Sequence, residues 1–208
     1  MLKRLIFIIT LTWIFIGNVN CQTKINTQKN VTNQFYNKAL GISFYKIGRV
    51  IKHDSTNYNI DLFSNVSSNK SAVVQISAAN KLFVDLPGSY GGRLYLDSPS
   101  AAKLYKNVLL VDSINTGRHN FKREYWAVYA GMGMWDCVIN CYTYVKGKYY
   151  IVSLVQDEMM GKPGEINNGK RISSNELKSI ILASLQDKMN TNVNKFNDLL
   201  HSIRIQNK

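Results

Sequence analysis

The segment from Phe121 to Gln156 constrains the fold of this chain more than any other. It contains two long runs in which aromatic and β-branched residues alternate with others, and glycines interrupt it at Gly131, Gly133 and Gly147. Alternation with a period of two is typical of β-strands, and glycines between such runs mark reversals of the chain. The segment is therefore predicted to form three antiparallel strands.

The register of the second hairpin follows from a tight reversal at Lys146 and Gly147. This reversal pairs Val145 with Lys148, Thr143 with Tyr150, Cys141 with Val152 and Ile139 with Leu154. One face then carries apolar side chains, namely Trp135, Cys137, Ile139, Cys141, Val145, Val152 and Leu154. The other face carries Met134, Asp136, Asn140, Tyr142, Tyr144 and Tyr149. Such a mixture of polar residues and tyrosines is typical of a half-solvated sheet surface.

The N-terminus has the pattern of a secretory signal. Lys3 and Arg4 precede an apolar run from Leu5 to Ile16, and residues 17–22 are small or polar. Because this apolar run is short for a membrane span, residues 1–21 are predicted to be a signal peptide. An uncleaved N-terminal anchor is the alternative.

Cys21 adds a second possibility, because a bacterial lipoprotein signal ends at a cysteine that carries lipid. The residues before it, Asn18 and Asn20, differ from the aliphatic and small residues of such signals. Their identity favours ordinary cleavage near residues 20–22, with lipidation of Cys21 as the alternative.

The rest of the chain predicts a single α+β domain. Residues 22–33 are polar and aperiodic, as in a flexible tether, which is expected to reach residue 36, and residues 37–208 form the domain. The elements expected outside Phe121–Gln156 are a strand at Leu40–Tyr45, a hairpin of Thr56–Val66 with Ser71–Ala79, a fragment at Leu82–Leu86, a helix from Pro99 to Lys106, a strand at Val108–Val111 and a final strand at Ser202–Ile205. Asp112–Asn120 is expected to be a loop and Asp157–Lys170 an exposed excursion. The fold class is an antiparallel β-sheet with helices packed on one face.

Helix signals support this assignment. Ser98 is a predicted N-cap before Pro99, with Ala102, Tyr105 and Leu109 facing inward. Two further helices cover residues 174–188 and 193–201. Their inward residues are Leu177, Ile180, Ile181, Ser184 and Leu185 in the first, and Phe196, Leu199 and Leu200 in the second.

The charge of the chain limits its partners. Its formal net charge is +13, which favours anionic lipids, acidic glycans, acidic proteins or nucleic acid. The lysines are scattered and form no basic helix, so nucleic acid is not expected.

Cys137 and Cys141 are predicted to be buried free thiols. Residues four apart on one strand are separated by roughly 13 Å, whereas a disulfide requires Cα atoms within about 7 Å. Both cysteines therefore act as small apolar side chains.

Several parts of the chain resemble the PsbP-like α+β family, which includes the extrinsic photosystem II protein and many exported bacterial proteins. These parts are the opening Leu40–Phe44, a hairpin of the Tyr58 and Val74 kind, a helix, a loop with Gly117 that leads into long meander strands, and a closing helix that runs into Leu199–Ile205. The resemblance covers about residues 40–205. It implies a non-enzymatic docking or accessory module, and the family brings no shared catalytic residues.

The sequence gives little support to catalysis or to a cofactor. His53, His119 and His201 are far apart and show no metal-ligand spacing. No Gly-x-Ser-x-Gly motif is present, and the glycine-containing loop at residues 87–92 lacks the nucleotide-binding fingerprints. Asp136, Asp157 and Glu158 lie near predicted strand ends, where solvated carboxylates are usual. We therefore expect no enzyme activity, no cofactor and no metal.

The aromatic face carries the candidate interaction surface. Tyrosine beside arginine is favoured at binding surfaces because it is large, stiff and able to hydrogen-bond. The predicted surface comprises Tyr125, Tyr129, Tyr142, Tyr144, Tyr149, Arg123 and Lys148. Cover for a second layer of the same domain is the alternative role of these residues.

Together these observations predict an exported, non-catalytic accessory or binding module in the periplasm or at the cell surface. Three alternatives remain: an immunity or inhibitor-type protein that binds an acidic partner, a carrier of small molecules or lipids, and a hydrolase whose site is assembled from distant residues. Contact with a membrane would come only through lipid at Cys21 or an uncleaved leader.

Overall fold

Long antiparallel strands dominate the architecture, which is α+β. A computed structural model describes residues 34–45, 49–53, 57–61, 72–86, 92–159, 161–164, 166–167 and 170–206. Its strands are β1 Gln34–Asn37, β2 Ile42–Tyr45, β3 Arg49–His53, β4 Asn57–Asp61, β5 Ala72–Ala79, β6 Phe83–Leu86, β7 Gly92–Tyr95, β8 Val108–Asn115, β9 Asn120–Gly131, β10 Met134–Val145, β11 Lys148–Met159, β12 Ile166–Asn167, β13 Lys170–Arg171 and β14 Arg204–Ile205. Its helices are α1 Pro99–Leu104, α2 Ser174–Gln186 and α3 Thr191–Ser202, and a 3-10 turn follows α1 at Tyr105–Asn107.

The main sheet has seven strands in the order β3-β4-β5-β11-β10-β9-β8, and neighbouring strands run antiparallel. The predicted meander is confirmed as β9, β10 and β11. The predicted register of β10 with β11 is also confirmed, from Val145 opposite Lys148 to Ile139 opposite Leu154. Lys146 and Gly147 both have positive φ, 49° and 81°, which is the backbone of a two-residue hairpin turn. That short turn determines the register of both strands.

The first face of the sheet is covered by α2 and α3. The predicted apolar residues of β10 and β11 lie in this core together with Leu177, Ile181 and Leu185 of α2 and Phe196, Leu199 and Leu200 of α3. Ser173 caps α2 by accepting from the Glu176 backbone N–H, and Asn190 caps α3. Ile180, which was predicted to face inward, is instead exposed on α2.

The C-terminal strand returns to the start of the domain. β14 pairs antiparallel with β2, and with β1 the two form a three-stranded sheet. The predicted final strand is thus confirmed at Arg204 and Ile205, whereas Ser202 is the last residue of α3. The backbone N–H of Ile205 donates to Nε2 of His119 at 3.3 Å, which links β14 to the loop between β8 and β9.

The second face of the sheet differs from the prediction of a half-solvated surface. The hairpin β6–β7 and helix α1 lie over it and form a second core of Val84, Leu86, Trp126, Val128, Val138 and Val155, with Leu104 of α1 packed against it. Asp136 and Asn140 are consequently buried. Helices therefore lie on both faces, and the expectation of helical cover on one face alone is wrong.

Smaller differences concern element ends and helix faces. Gln34, Phe35 and Tyr36, which were assigned to the tether, lie in β1. The expected loop at 112–120 is strand as far as Asn115, because β8 continues its pairing with β9. On α1 the buried residue is Ala101, whereas the predicted inward residues Ala102 and Tyr105 are exposed. The turn that connects β4 to β5 lies outside the described residues, as does the loop at 87–91.

Candidate functional site

The structure divides the predicted interaction surface between the two faces of the sheet. In the register of β9 with β10, Tyr125 lies opposite Ile139 and Tyr129 opposite Trp135. Cross-strand partners share a face, so both tyrosines belong to the core beneath α2 and α3. The prediction that they join Tyr142 on the second face is therefore wrong.

Arg123 and Lys148 also lie on the first face. Arg123 is opposite Cys141, and Lys148 is opposite Val145. Arg123 makes two parallel hydrogen bonds to Asp112, with Nε to Oδ1 and Nη2 to Oδ2 both at 2.7 Å, and its guanidinium lies 5.1 Å from the centre of the Tyr125 ring. A guanidinium engaged in this way has a structural role at the sheet edge.

Three tyrosines remain together on the second face, next to the turn between β10 and β11. The ring centres of Tyr144 and Tyr149 are 4.8 Å apart, and those of Tyr142 and Tyr149 are 6.4 Å apart. Nζ of Lys122 lies 5.8 Å from the centre of the Tyr142 ring, within cation–π range. We call these four residues the tyrosine surface. Tyr144 is 60% exposed, so the cover formed by β6–β7 and α1 leaves this end of the face open.

A buried carboxylate lies directly beneath this surface. Glu124 is fully buried, and its Oε1 accepts hydrogen bonds from the hydroxyls of Tyr105 at 2.9 Å and Tyr142 at 3.0 Å. Its Oε2 accepts from Nε1 of Trp126 at 3.2 Å. Three neutral donors thus stabilise one buried carboxylate.

The same contacts change the pKa values of the Tyr105 and Tyr142 hydroxyls. Burial, then the hydrogen bond to Glu124 and its charge, raises the pKa of Tyr105 to about 12. Burial and the Glu124 charge likewise raise the pKa of Tyr142. Both hydroxyls therefore stay protonated near neutral pH and act as hydrogen-bond donors.

A row of polar side chains crosses the second face on the other side of Glu124. Oγ of Ser153 donates to Oδ1 of Asn140 at 2.7 Å, and Nδ2 of Asn140 donates to the Phe83 carbonyl at 3.3 Å. Gln75 lies opposite Ser153 in the next strand. Through Asn140 this row attaches strand β6 to the sheet, which is a structural role.

Asp136 and Asp157 form a carboxyl pair at the far end of β10 and β11. They are directly opposite each other in the register, and Asp136 is only 4% exposed. Burial, then the charge of Asp157 and a hydrogen bond to it, raises the pKa of Asp136 to about 6. Glu158 follows on the same strand, and its side chain lies outside the described residues. The Asp136 carboxyl therefore holds its proton in mildly acidic conditions.

The raised pKa of Asp136 makes stability depend on pH. Between about pH 4 and pH 6 Asp136 keeps a proton in the folded protein that it has lost in the unfolded chain, so its contribution to the free energy of unfolding falls as the pH rises through that window. We expect Asp136→Asn to raise the free energy of unfolding at pH 7 by about 1–2 kcal/mol, and to have little effect below pH 4. Urea denaturation at a series of pH values measures this difference.

Asp198→Asn is the matched control, because Asp198 is exposed on α3. We expect no comparable pH-dependent gain from it. A uniform effect of Asp136→Asn at every pH, or a loss of stability at pH 7, would contradict the role assigned to the pair.

The other predicted reactive residues lie apart. Cys137 and Cys141 are buried free thiols, as predicted, and burial raises the pKa of Cys141. Burial and the charge of Arg118 lower the pKa of His119, whose Nε2 accepts the Ile205 N–H. His53 is the last residue of strand β3, and His201 lies in the last turn of α3. Among the side chains that the structure describes, no thiolate and no histidine base lies at the tyrosine surface.

The described part of the chain contains neither a cluster of metal ligands nor a helix that could span a membrane. Within it, no three His, Cys, Asp or Glu side chains lie close enough to hold a metal ion. Among the same residues, no helix has both the length and the apolar character needed to span a bilayer. Cys21 and residues 1–33 lie outside the described residues, so the leader and the lipidation site stay predictions.

Glu124, Tyr105 and Lys122 belong to this site but were not predicted from the sequence. In the sequence, Glu124 has the pattern of a charged residue on the exposed face of a strand. Tyr105 lies in a different element, so nothing in the sequence connects it with Glu124. One signal was present: Glu124 is flanked within two residues by Lys122 and Trp126, which share its face in an alternating strand. The hydrogen bond from Tyr105 joins residues 19 apart in sequence and follows from the packing of α1.

The chain matches no protein-family model, and no curated protein matches it at a significant level.

Proposed function

We propose that this protein is a non-catalytic binding module that captures an acidic partner on the tyrosine surface. Tyr144 carries the proposal, because its side chain is 60% exposed and its ring centre lies 4.8 Å from that of Tyr149, which also contacts Tyr142. Tyrosines held in this way provide large contact area with little loss of side-chain entropy on binding. Such residues are frequent at the energetic centres of interfaces.

The rigid base of the surface supports this role. Tyr142 is held by its hydrogen bond to Glu124, and the short turn at Lys146 and Gly147 holds Tyr144 and Tyr149 at the ends of paired strands. A preformed surface loses less entropy when a partner binds. The second core under β6–β7 and α1 stabilises the same face and leaves Tyr144 exposed.

Charge supports the acidic character of the partner. Lys122 is exposed beside Tyr142, whereas the nearest carboxylate, Glu124, is fully buried. The whole chain carries +13, which would draw an acidic molecule toward it. An immunity or inhibitor-type protein is one class of module that works this way.

The geometry of the candidate acid–base residues supports a non-catalytic role. His119 lies in the loop that begins β9, whereas Asp136 is opposite Val128 at the other end of that strand. Nine residues of extended chain separate these positions by roughly 30 Å. At that distance His119 and Asp136 cannot act together on one substrate.

We also infer a PsbP-like fold and export from the cell. The order of a short first strand, a hairpin, a helix, a long meander and a closing helix that runs into a strand supports the fold. The charged start and apolar run of residues 1–21 support a signal peptide, with the periplasm or the cell surface as the location.

The proposal is tested with Tyr144→Ala in the full chain. The probe is a pool of short peptides randomised among Asp, Glu, Val and Phe, with a matched pool in which Lys replaces the acids. We expect the acidic pool to bind the wild-type protein in a salt-dependent manner, and Tyr144→Ala to weaken binding about tenfold. Its melting temperature should stay within a few degrees of wild type, since Tyr144 is mostly exposed.

Met189→Ala is the control, because Met189 is an exposed apolar residue between α2 and α3. It should bind the acidic pool like wild type. Equal binding by Tyr144→Ala and wild type, or equal binding of the basic pool, would refute the proposal. Tyr142→Ala is unsuitable here, because loss of its hydrogen bond to Glu124 also affects stability.

A further inference from the structure

Strand β8 forms one edge of the seven-stranded sheet. Among the described strands β9 is its one partner, so the backbone groups on the outer side of β8 have no strand to bond to. An open edge of this kind is a template for an additional strand.

The hydrogen-bonding pattern identifies which residues present the open groups. The N–H of Thr116 donates to the His119 carbonyl at 3.1 Å, which makes these two a hydrogen-bonded pair at the end of the hairpin. Antiparallel pairs alternate between bonded and non-bonded. Since Thr116 and His119 form a bonded pair, Asn115, Ser113 and Val111 fall in non-bonded pairs of the register. Their backbone N–H and C=O groups therefore point away from β9.

This part of the edge has few of the features that protect edge strands. Such features are lysine or proline on the strand, an irregular pairing and inward charges. The register irregularity lies between Val108 and Leu110, before the open stretch. From Val111 to Asn115 the one charged residue is Asp112, which is bound by Arg123. Val111 is apolar and 42% exposed.

Positive charge surrounds this edge. Lys106 precedes β8, Arg118 follows it, and Lys122 is opposite Ser113 on the neighbouring strand. Nζ of Lys178 reaches the Lys106 carbonyl and Asn107 Oδ1, both at 3.1 Å. Because of this charge, pairing of β8 with a second copy of the chain would be repulsive, whereas an acidic strand would be attracted.

We propose that the outer edge of β8 binds an extended acidic segment of a partner protein as an added strand, through the backbone groups of Val111, Ser113 and Asn115. The acidic character of the segment rests on the proposed function. The proposed geometry of strand addition depends only on the open backbone groups of β8.

The edge and the tyrosine surface form one continuous site. Ser113 of β8 is opposite Lys122, and Lys122 is opposite Tyr142. Neighbouring strands are about 4.8 Å apart, so acidic side chains on an added strand come within reach of Lys122. The backbone would supply much of the affinity, and the lysine and tyrosines would supply selectivity.

The test uses the full chain, a peptide of alternating Val and Glu, and a peptide of alternating Val and Lys as control. We expect the acidic peptide to protect the amides of Val111, Ser113 and Asn115 from hydrogen exchange, while amides bonded within the sheet are unchanged. Ser113→Pro removes one outward N–H, and proline is tolerated at such edge positions. It should weaken binding of the acidic peptide about tenfold, whereas Ser113→Ala, which keeps the N–H, should bind like wild type.

Each result decides between the hypotheses. Equal binding by the proline and alanine variants, or absence of new protection in β8, would overturn strand addition. If strand addition failed but Tyr144→Ala still weakened binding of the acidic pool, the proposed function would stand without strand addition. Binding of polyglutamate with no protection in β8 would likewise indicate charge alone and refute the added strand. Should Ser113→Pro fail to fold, the exchange pattern of the wild-type protein decides by itself.

Discussion

Replacing Glu124 with alanine is expected to lower the free energy of unfolding by about 3–5 kcal/mol. The substitution removes the acceptor for three donors, the hydroxyls of Tyr105 and Tyr142 and the indole N–H of Trp126. Trp126 is fully buried, and its N–H would lose its partner away from water. The change also leaves a cavity between the sheet and α1. Denaturant unfolding of the variant beside wild type measures the loss.

A double-mutant cycle separates this network from general packing effects. Tyr142→Phe in the wild-type protein should cost about 1–2 kcal/mol, because Glu124 loses one donor. In the Glu124→Ala background the same change should cost nothing or be stabilising, since it removes a hydroxyl that has already lost its acceptor. Additive effects of the two substitutions would show that the carboxylate does not organise these residues.

Replacing Phe196 with alanine should cost about 3–5 kcal/mol as well. Phe196 of α3 is fully buried in the first core, where the C-terminal helices cover the sheet. Its removal leaves a cavity that the paired strands cannot close, because their spacing is determined by backbone hydrogen bonds. The measurement is again the free energy of unfolding in denaturant.

Met189→Ala provides the comparison for Phe196→Ala. Met189 is 84% exposed, so its truncation should change stability by no more than about 0.5 kcal/mol. If the two variants unfolded at the same denaturant concentration, α3 would not be an essential cover of the first face.

These two residues differ in how far the sequence reveals them. Phe196 falls at helical spacing with Leu199 and Leu200, and all three are buried as that spacing predicts. Glu124 lies on a strand, where a charged residue at an alternate position usually faces water. It is buried because Tyr105, from a separate element, closes over it.

The candidate surface shows the same division. Tyr142, Tyr144 and Tyr149 were placed together correctly because the turn at Lys146 and Gly147 determines the register of their strands. Tyr125 was placed on the wrong face. The pairing of β9 with β10 contains an irregularity between Met134 and Trp135, next to the turn, and counting residues across such a turn does not give the register.

The sequence by itself determined the meander, the register of β10 with β11, the buried thiols and the apolar faces of α2 and α3. Each of these depends on alternation, helical spacing or one short turn, and such signals lie within a few residues of each other. The tertiary structure decided that the second face also has a core and that part of it stays open. That outcome depends on contacts such as the hydrogen bond from Asn140 to the Phe83 carbonyl, 57 residues away. Local sequence patterns do not predict contacts between residues so far apart in the chain.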